Sequence, residues 1–138
     1  MVTTKEISLS TQGEGDILDI TPQVAEAVTH SGIFSGTVTV FVAGSTAGIT
    51  TIEFEPGLVS DMKAMWQRLV PKGIAYDHDR RWGDGNGYSH VRASLLGGSL
   101  VVPFSNKKLI LGTWQQIVLV DFDNRPRSRK VILQIMGD

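Results

Sequence analysis

The segment QIVLVDF, residues 116–122, carries apolar side chains at five of its seven positions, and they do not alternate with polar ones. Successive side chains of a β-strand point to opposite faces of the sheet, so this strand is apolar on both faces. Both faces then need cover from the rest of the protein. We expect helices over one face, and a second sheet or another subunit over the other.

Outward from this segment, β-branched or alternating runs predict seven further strands. They lie at residues 4–11, 15–20, 36–44, 48–55, 99–104, 108–114 and 129–136. One helix is predicted by Thr21 as its N-cap, Pro22 at its first helical position and Gly32 as its stop. A second helix begins at Pro56 and ends before Pro71, because apolar residues recur there at helical spacing.

A short helix is predicted over residues 88–96, with Asn86 as its N-cap, and the residues before it are expected to form a loop. Strands therefore outnumber helices, and they are not separated by regular helical crossovers. The predicted fold class is α+β: a single strand-rich domain over residues 1–138, with mostly antiparallel sheets packed against two main helices. One sheet face is expected to be covered by neighbouring subunits.

Composition restricts the possible functions. The chain has 138 residues, 41% hydrophobic and 20% charged, which is typical of one globular domain. It contains no cysteine, which excludes a disulfide framework, a thiolate nucleophile and a cysteine-ligated zinc site. A formal net charge of -1 argues against nucleic-acid binding. No apolar run is long enough for a membrane span, so we expect a cytoplasmic protein with neither a nucleic-acid nor a membrane partner.

The stretch YDHDRRWGDGNGYSH, residues 76–90, holds two of the three histidines of the chain. Its spacing brings His78, Asp84, Asn86 and His90 into one turn-rich segment. Two imidazoles and a carboxylate can bind a divalent metal, Zn or Mg, or act as general acid and base near neutral pH. The alternative is a surface loop whose polar residues share no role.

Two further segments offer groups for a ligand. In AGSTAGITTIE, residues 43–53, the hydroxyls of Ser45 and Thr46 can hydrogen-bond phosphate oxygens, although no lysine follows as in a P-loop. Glu53 is either a ligand or a hydrogen-bonded structural acid. Trp114 can stack on a flat ring that Gln115 hydrogen-bonds, or it is a core or interface side chain.

Three arginines, Arg125, Arg127 and Arg129, occupy alternate positions in DFDNRPRSRK, residues 121–130. On a strand they share one face, and three guanidinium groups on one face suit a phosphate or pyrophosphate. The alternative is a solvated hairpin in which Asp121 and Asp123 neutralise them.

Taken together, these motifs resemble one family. The run YDH…DGNGYSHVRASLLGGSLVVPF, followed by LILGTWQQIVLVDFD and an Arg-x-Arg, is similar to the small proteins called secondary thiamine-phosphate synthases. The resemblance covers nearly the whole chain and implies a homotrimer with sites at the subunit boundaries. It implies catalytic roles for His78, His90, Asp84 and Glu53, with the two histidines as metal ligands. It implies substrate contacts by Asn86, Trp114, Gln115, Arg127 and Arg129, beside the hydroxyls of Ser45 and Thr46.

One departure concerns metal binding. Gly44 stands where members of that family usually have a histidine, so a three-histidine metal site is not expected here. Either the protein binds metal weakly or not at all, or Glu53 and water fill the gap.

Three functions follow from these residues and from the resemblance. The first is a transferase of the thiamine-phosphate synthase type, which joins a pyrimidine pyrophosphate to a thiazole phosphate and releases pyrophosphate. The second is a metal-assisted phosphate-ester hydrolase. The third is a non-enzymatic trimeric protein that binds a phosphorylated small molecule. Product analysis separates the first two, and tight binding without turnover would identify the third.

Overall fold

The strand predicted at QIVLVDF is the central strand of a small sheet in the computed structural model, which describes residues 1–138. The strands are β1 (Val2–Thr11), β2 (Asp16–Asp19), β3 (Gly36–Ala43), β4 (Ala47–Ile52), β5 (Ser99–Ser105), β6 (Lys108–Leu109), β7 (Gln116–Asp121) and β8 (Arg127–Gly137). The helices are α1 (Thr21–Thr29), α2 (Pro56–Leu69), α3 (Asp77–Trp82) and α4 (Gly87–Leu96). The predicted fold class, a single α+β domain with antiparallel sheets, is confirmed. None of the four helices has the length and hydrophobicity needed to cross a membrane.

The strands form two antiparallel sheets. A five-stranded sheet has the order β1-β8-β3-β5-β6, and a three-stranded sheet has the order β2-β7-β4. Every pairing is antiparallel, with Ala47 of β4 opposite Asp121 of β7, and Ala43 of β3 opposite Lys130 of β8. As a result, one end of the two sheets holds the last residues of β3 and β7 and the first residues of β4 and β8.

The apolar faces of β7 explain how the sheets pack. Ile117 and Leu119 belong to a cluster of 16 buried residues that fills the space between the two sheets and helix α1. Val118 and Val120 point the other way, into a second cluster beneath α2 and α4. The expectation that both faces need cover is confirmed, with a second sheet on one side and helices on the other.

The second cluster is built around an aromatic pair. Trp66 of α2 meets Phe122 edge to face, with ring centroids 4.9 Å apart at an interplanar angle of 75°. This geometry matches the favoured arrangement of aromatic quadrupoles. Truncating a buried tryptophan to alanine typically costs about 3–5 kcal/mol, so Trp66 is the main anchor of α2. By contrast Leu69, the last residue of the same helix, lies exposed.

The predicted start of α2 at Pro56 is confirmed, whereas the predicted N-cap of α1 needs correction. Ile20, not Thr21, is the N-cap of α1, and the Thr21 hydroxyl instead accepts a hydrogen bond from the backbone of Ile117 in β7. Glu55 caps α2, because its carboxylate accepts hydrogen bonds from the amides of Gly57 and Leu58. Each polar side chain is used where it satisfies a backbone amide that would otherwise lack a partner.

The expected loop before α4 contains a further helix, α3, so the chain has four helices rather than two main ones and a short one. Asp77 and Asp79 lie in the first turn of α3, and Arg80 and Arg81 in the last, which complements the helix dipole at both ends. Gly83, at φ 66°, ends the helix in the left-handed conformation that glycine adopts readily. The six residues are too few to show apolar periodicity, and their charges therefore suggested a loop.

Two other predictions need refinement in detail. Asn86 is the N-cap residue of α4 as predicted, but its side chain makes no capping hydrogen bond and instead bonds Asp123 and Asn124 beyond β7. The strand predicted over residues 108–114 is only Lys108–Leu109. The amide of Gly112 donates to the side-chain carbonyl of Gln115, and this local turn replaces strand pairing.

The outer face of the five-stranded sheet has no cover within the chain. Phe41, Val101 and Met136 share this face and are 47%, 59% and 49% exposed. The expectation that neighbouring subunits cover one face therefore stays a prediction.

The hairpin between β5 and β6 contains a strained residue. Ser105 pairs with Lys108, which leaves Asn106 and Lys107 as a two-residue loop with φ values of 53° and 62°. Positive φ at both positions is the conformation of a type I′ turn. Asparagine tolerates it, but a lysine there costs about 1–2 kcal/mol relative to right-handed backbone.

We expect Lys107→Gly to raise the free energy of unfolding by up to about 1 kcal/mol, since glycine removes the strain but loses more entropy on folding. Urea denaturation followed by circular dichroism measures this change. Lys108→Gly is the matched control, because Lys108 has ordinary strand geometry, and it should lower stability by about 0.5–1 kcal/mol. Equal losses in the two variants would contradict the assignment of strain to residue 107.

Candidate functional site

A polar cavity of about 670 Å³ opens where the ends of β3, β7 and the beginnings of β4, β8 meet. Its walls come from three segments: residues 43–46; Asp84, Asn86 and His90; and residues 123 and 125–129. Only one of the lining residues is hydrophobic. Since buried apolar surface cannot supply much affinity here, the cavity is suited to a polar or charged ligand.

The base of this cavity is a buried ion pair between Asp121 and Arg129. The Nε of Arg129 donates to Oδ2 of Asp121 at 2.7 Å, and Nη2 donates to Oδ1 at 2.9 Å, in the two-point geometry that suits a guanidinium and a carboxylate. Their side chains are 0% and 5% exposed. Asp121 follows Ile117 and Leu119 on the inner face of its sheet, and Arg129 precedes Val131 on the facing sheet. The pair therefore joins the two sheets.

Further hydrogen bonds stabilise the charged form of this carboxylate. The Thr11 hydroxyl donates to Oδ2 of Asp121 at 2.6 Å, and the Asp123 amide donates to Oδ1 at 3.1 Å. Burial by itself would raise the pKa of Asp121, but the bonds from Arg129, Thr11 and Asp123 outweigh it and hold the pKa below its usual value. The hydrogen bond to Asp121 likewise raises the pKa of Arg129 above its usual value, against the effect of burial.

Asp123 connects the cavity to the loop before α4. Its Oδ2 accepts hydrogen bonds from the Thr46 hydroxyl at 2.8 Å and from Nδ2 of Asn86 at 3.2 Å. Oδ1 of Asn86 in turn accepts from the backbone amide of Asn124 at 3.1 Å. Thr46 and Asn86, predicted to contact a ligand, are thus both buried supports of the cavity wall. Ser45 beside them is exposed to the cavity.

The two histidines of residues 76–90 are brought together. The rings of His78 on α3 and His90 on α4 have centroids 4.3 Å apart and are tilted by 37°. His90 lines the cavity, and His78 lies behind it. Burial first, and the neighbouring His78 second, lower the pKa of His90, which favours its neutral form at neutral pH.

The metal-binding geometry involves a residue that the sequence analysis missed. Nδ1 of His78 is buried and makes no hydrogen bond, although Oδ1 of Asp84 lies 3.4 Å away and Oδ1 of Asp79 lies 3.7 Å away. The three ligand atoms all lie within 4.8 Å of one another. Two atoms each about 2.1 Å from a tetrahedral zinc ion are about 3.4 Å apart, so this spacing fits a small divalent cation. The predicted pair His78 and His90 stays a prediction as a ligand set.

The three alternate arginines line the cavity together. Arg125 is exposed, Arg127 is half-buried with its Nε 3.5 Å from Asp123, and Arg129 is buried. The alternative of a solvated hairpin does not hold for the aspartates, because Asp121 and Asp123 are fully buried. The position of the two aspartates in the sequence could have indicated their burial. Each carboxylate ends or directly follows an apolar strand, where a buried charge requires a partner.

Three predicted site residues lie elsewhere in the chain. Glu53 follows the end of β4, whereas the cavity is at its beginning, about 20 Å away along an extended strand. Trp114 is 72% exposed at the same far end, and Nε2 of Gln115 donates to the Thr51 hydroxyl at 3.1 Å. Within one chain, these three residues do not meet the histidines and arginines.

Fold and cavity together define a small two-sheet α+β protein with an arginine- and histidine-lined site at one end of its sheets. A family model described as UPF0047 protein YjbQ-like matches residues 5–138. The chain therefore belongs to the YjbQ-like UPF0047 family.

Relatives and solved structures agree with this assignment. A UPF0047 protein of Archaeoglobus fulgidus is 40% identical over 131 residues, covering 95% of this chain and 99% of the relative. The UPF0047 protein YugU of Bacillus subtilis is 33% identical over 135 residues, covering 96% and 98%. The crystal structure of a YbjQ-like protein of unknown function from Sulfolobus solfataricus superimposes with a TM-score of 0.94 at 35% identity, over 100% of this chain and 99% of the other. An uncharacterized YjbQ/UPF0047 protein of Clostridium acetobutylicum gives a TM-score of 0.87 at 38% identity, over 96% and 99%.

These findings correct the resemblance to secondary thiamine-phosphate synthases, which is wrong as an identification. The matching family model and these relatives are described as YjbQ-like or UPF0047 proteins, and none of them as a thiamine-phosphate synthase. Of the motifs behind the resemblance, those with Asp84, Asn86 and His90 and the Arg-x-Arg form walls of a polar cavity, whereas Trp114 and Gln115 lie elsewhere. Such walls do not by themselves define a reaction.

We expect Asp121→Asn to lower the free energy of unfolding by about 3 kcal/mol or more at neutral pH, because it leaves the guanidinium of Arg129 buried without a counter-charge. The pH dependence should change as well. The folded-state pKa of Asp121 lies below its unfolded value of about 3.9, so its contribution is complete above that value and is lost as the pH falls towards the folded-state pKa. Urea denaturation between pH 7 and pH 3 measures both effects.

The matched control for this prediction is Asp77→Asn, which removes a carboxylate that is 92% exposed. It should change stability by less than about 0.5 kcal/mol and keep the wild-type acid dependence. A variant at Asp121 with the wild-type loss of stability in acid would contradict the role assigned to this carboxylate.

Proposed function

We propose that this protein binds a phosphorylated small molecule in the cavity and hydrolyses its phosphate ester with the help of a divalent cation. One observation carries the proposal: three guanidinium groups and His90 line one cavity, and Asp84, a member of the cluster of His78, Asp79 and Asp84, lines it as well. Guanidinium groups beside a metal-binding cluster are typical of sites that act on phosphate groups.

The arginines supply the binding step. Arg127 and Arg129 are oriented by contacts to Asp123 and Asp121, so their guanidinium groups lose little further freedom when an anion binds. Arg125, more exposed, adds charge at the rim. With Asp121, which pairs with Arg129 at the base, the site has three guanidinium groups and three carboxylates, so an anionic ligand would be held by the positions of the guanidinium groups and not by net positive charge.

The cluster of His78, Asp79 and Asp84 supplies the cation site. An orphaned, buried imidazole nitrogen facing two carboxylate oxygens fits a divalent ion, and the mixed donor set favours Zn²⁺ or Mn²⁺ over Mg²⁺. Asp79 is held in place because its Oδ1 accepts a hydrogen bond from the Gly87 amide at 2.8 Å. A bound divalent ion would lower the pKa of a coordinated water molecule and offset the charge of the phosphate.

His90 is positioned to move the proton. It lies in the cavity wall next to His78, so a water molecule between the cluster and the arginines would be within its reach. Attack of that water forms one new P–O bond and breaks the ester P–O bond. His90 accepts the proton of the water and returns it to the departing alcohol oxygen, and the products are inorganic phosphate and the alcohol.

The organic part of the ligand has a separate place. A smaller cavity of about 170 Å³ shares Gly44, Ser45 and His90 with the main one, and its other lining residues are Ala47, Ala93, Ser94 and Gly98. It contains no charge apart from the imidazole. A phosphate ester with a small uncharged group would therefore fit across both cavities.

We further propose that copies of this chain associate, as a homotrimer. Val101 and Ile110 line a shallow groove with Gln115 and are 59% and 57% exposed, and Trp114 next to Gln115 is exposed as well. Soluble proteins rarely leave such contiguous apolar surface uncovered. At a boundary between subunits, Trp114 and Glu53 of one copy would be able to reach a ligand held by another.

We expect His78→Ala to abolish the binding of one Zn²⁺ or Mn²⁺ per chain, measured by isothermal titration and elemental analysis. The matched control is His30→Ala, because His30 lies exposed at the end of α1 and away from the cavity.

In assays of phosphate release from a panel of phosphomonoesters, His90→Gln should lower kcat by about 100-fold or more. Arg127→Gln should mainly raise KM, by about tenfold, since it removes a contact to the bound phosphate.

Metal binding that survives His78→Ala would contradict the cation site. Phosphate release that is equal in wild type and His90→Gln would contradict the role of His90. Tight phosphate binding without turnover of any ester would overturn the hydrolase and leave a binding protein.

We expect Ile110→Lys to convert the assembly to single chains, because a lysine cannot be buried unpaired in an apolar interface. Light scattering after gel filtration measures the mass. Leu69→Lys is the control, since Leu69 is equally exposed on α2 but lies outside the proposed interface. A wild-type mass of one chain would contradict the association.

A further inference from the structure

Gly44 lies at the junction of the two cavities and lines both of them. The φ angle of Gly44 is not positive, so no left-handed turn requires a glycine at this position. The reason for a residue without a side chain must therefore lie in the surrounding space.

That space is taken by the guanidinium of Arg129. A Cβ atom added to Gly44 would lie 2.7 Å from Nη1 of Arg129, closer than real Cβ contacts allow. An arginine tip can usually move away from such a clash, but this one is held by Asp121 on Nε and Nη2 and by the Thr46 hydroxyl on Nη2. A side chain at residue 44 would thus either cover Nη1 or displace the guanidinium from Asp121.

Nη1 is also the one nitrogen of Arg129 without a partner. Nε and Nη2 donate three hydrogen bonds within the protein, whereas Nη1 donates none. It is not buried without a partner, since the unpaired buried side-chain atoms are Nε1 of Trp66 and Nδ1 of His78. Both Gly44 and Arg129 line the main cavity, so the two hydrogens of Nη1 are available to a ligand there.

We propose that Gly44 is a specificity-determining residue: by lacking a side chain it leaves Nη1 of Arg129 open as the innermost donor for a phosphate oxygen. The inference rests on the proposed phosphate ligand and adds which atom binds it and what keeps that atom accessible. Because Asp121 fixes the other edge of the guanidinium, Nη1 is preorganised to bind the anion without rearranging. The phosphate end of the ligand therefore lies over Gly44, and the ester oxygen points towards the smaller cavity.

The test is isothermal titration of inorganic phosphate into the full chain, as wild type, Gly44→Ala and Gly73→Ala. Gly73 is the matched control, because a Cβ added there meets nothing within 4 Å. We expect Gly44→Ala to weaken phosphate binding at least tenfold, the loss typical of a hydrogen bond to a charged group. Gly73→Ala should bind as wild type does.

A second measurement begins with the wild-type protein, so its first result does not depend on how the variant folds. In wild-type protein with ¹⁵N-labelled arginine, the side-chain nitrogen signals of Arg129 should shift when phosphate is added, and a folded Gly44→Ala variant should lose this shift. Wild type that binds phosphate without any change at Arg129, or a folded Gly44→Ala variant with wild-type affinity, would overturn this inference and leave the proposed function intact. Wild type that does not bind phosphate would overturn both.

Discussion

The ion pair between Asp121 and Arg129 is the interaction on which the rest of the structure depends. It joins the inner faces of the two sheets at the end where the apolar core stops and the cavity begins. Desolvating two charges is costly, and a buried pair often adds less stability than apolar residues of similar volume. What this pair provides is geometry: it fixes which edge of the guanidinium faces the protein and which edge faces the cavity.

The same hydrogen-bond network connects the stability of the fold with the arrangement of the cavity residues. Thr46, Asp123 and Asn86 connect the ion pair to the loop that precedes α4, and α4 carries His90. Few of these groups can change without leaving a buried polar atom unpaired, which costs about 1–3 kcal/mol each. Only the side chains at the rim, such as Arg125 and Ser45, are free of such constraints. Positions in the wall are therefore determined jointly by stability and by the ligand.

Much of the fold could be predicted from sequence because it follows apolar periodicity. The two apolar faces of residues 116–122 indicated a sheet covered on both sides, and the spacing from Pro56 to Leu69 indicated α2. Helix α3 could not be predicted in this way, because its six residues are nearly all charged and its stability comes from dipole complementarity at its ends. Strand β6 was predicted too long, because a side-chain bond of Gln115 competes with pairing.

The site was predictable where residues are close in sequence, and less so where the fold brings them together. The alternation of Arg125, Arg127 and Arg129 indicated one shared surface, and the cavity contains all three. The burial of Asp121 and Asp123 depends on contacts with Thr11, Thr46 and Asn86, which are distant in the chain. Glu53 and Trp114 were grouped with the histidines by motif order alone, although antiparallel strands carry them to the opposite end.

All three arginines of the cavity and two of the carboxylates that orient them come from nine consecutive residues, 121–129. The flanking strand β7 is the central strand of its sheet and β8 is an interior strand of the other, so this connection is anchored on both sides by the core. A short insertion, deletion or exchange within residues 124–126 would alter the charge and shape of the cavity while leaving both sheets paired. Evolution can thus change the preferred ligand through one loop between the two sheets, and a protein engineer can graft a different anion specificity onto this scaffold by replacing the same few residues.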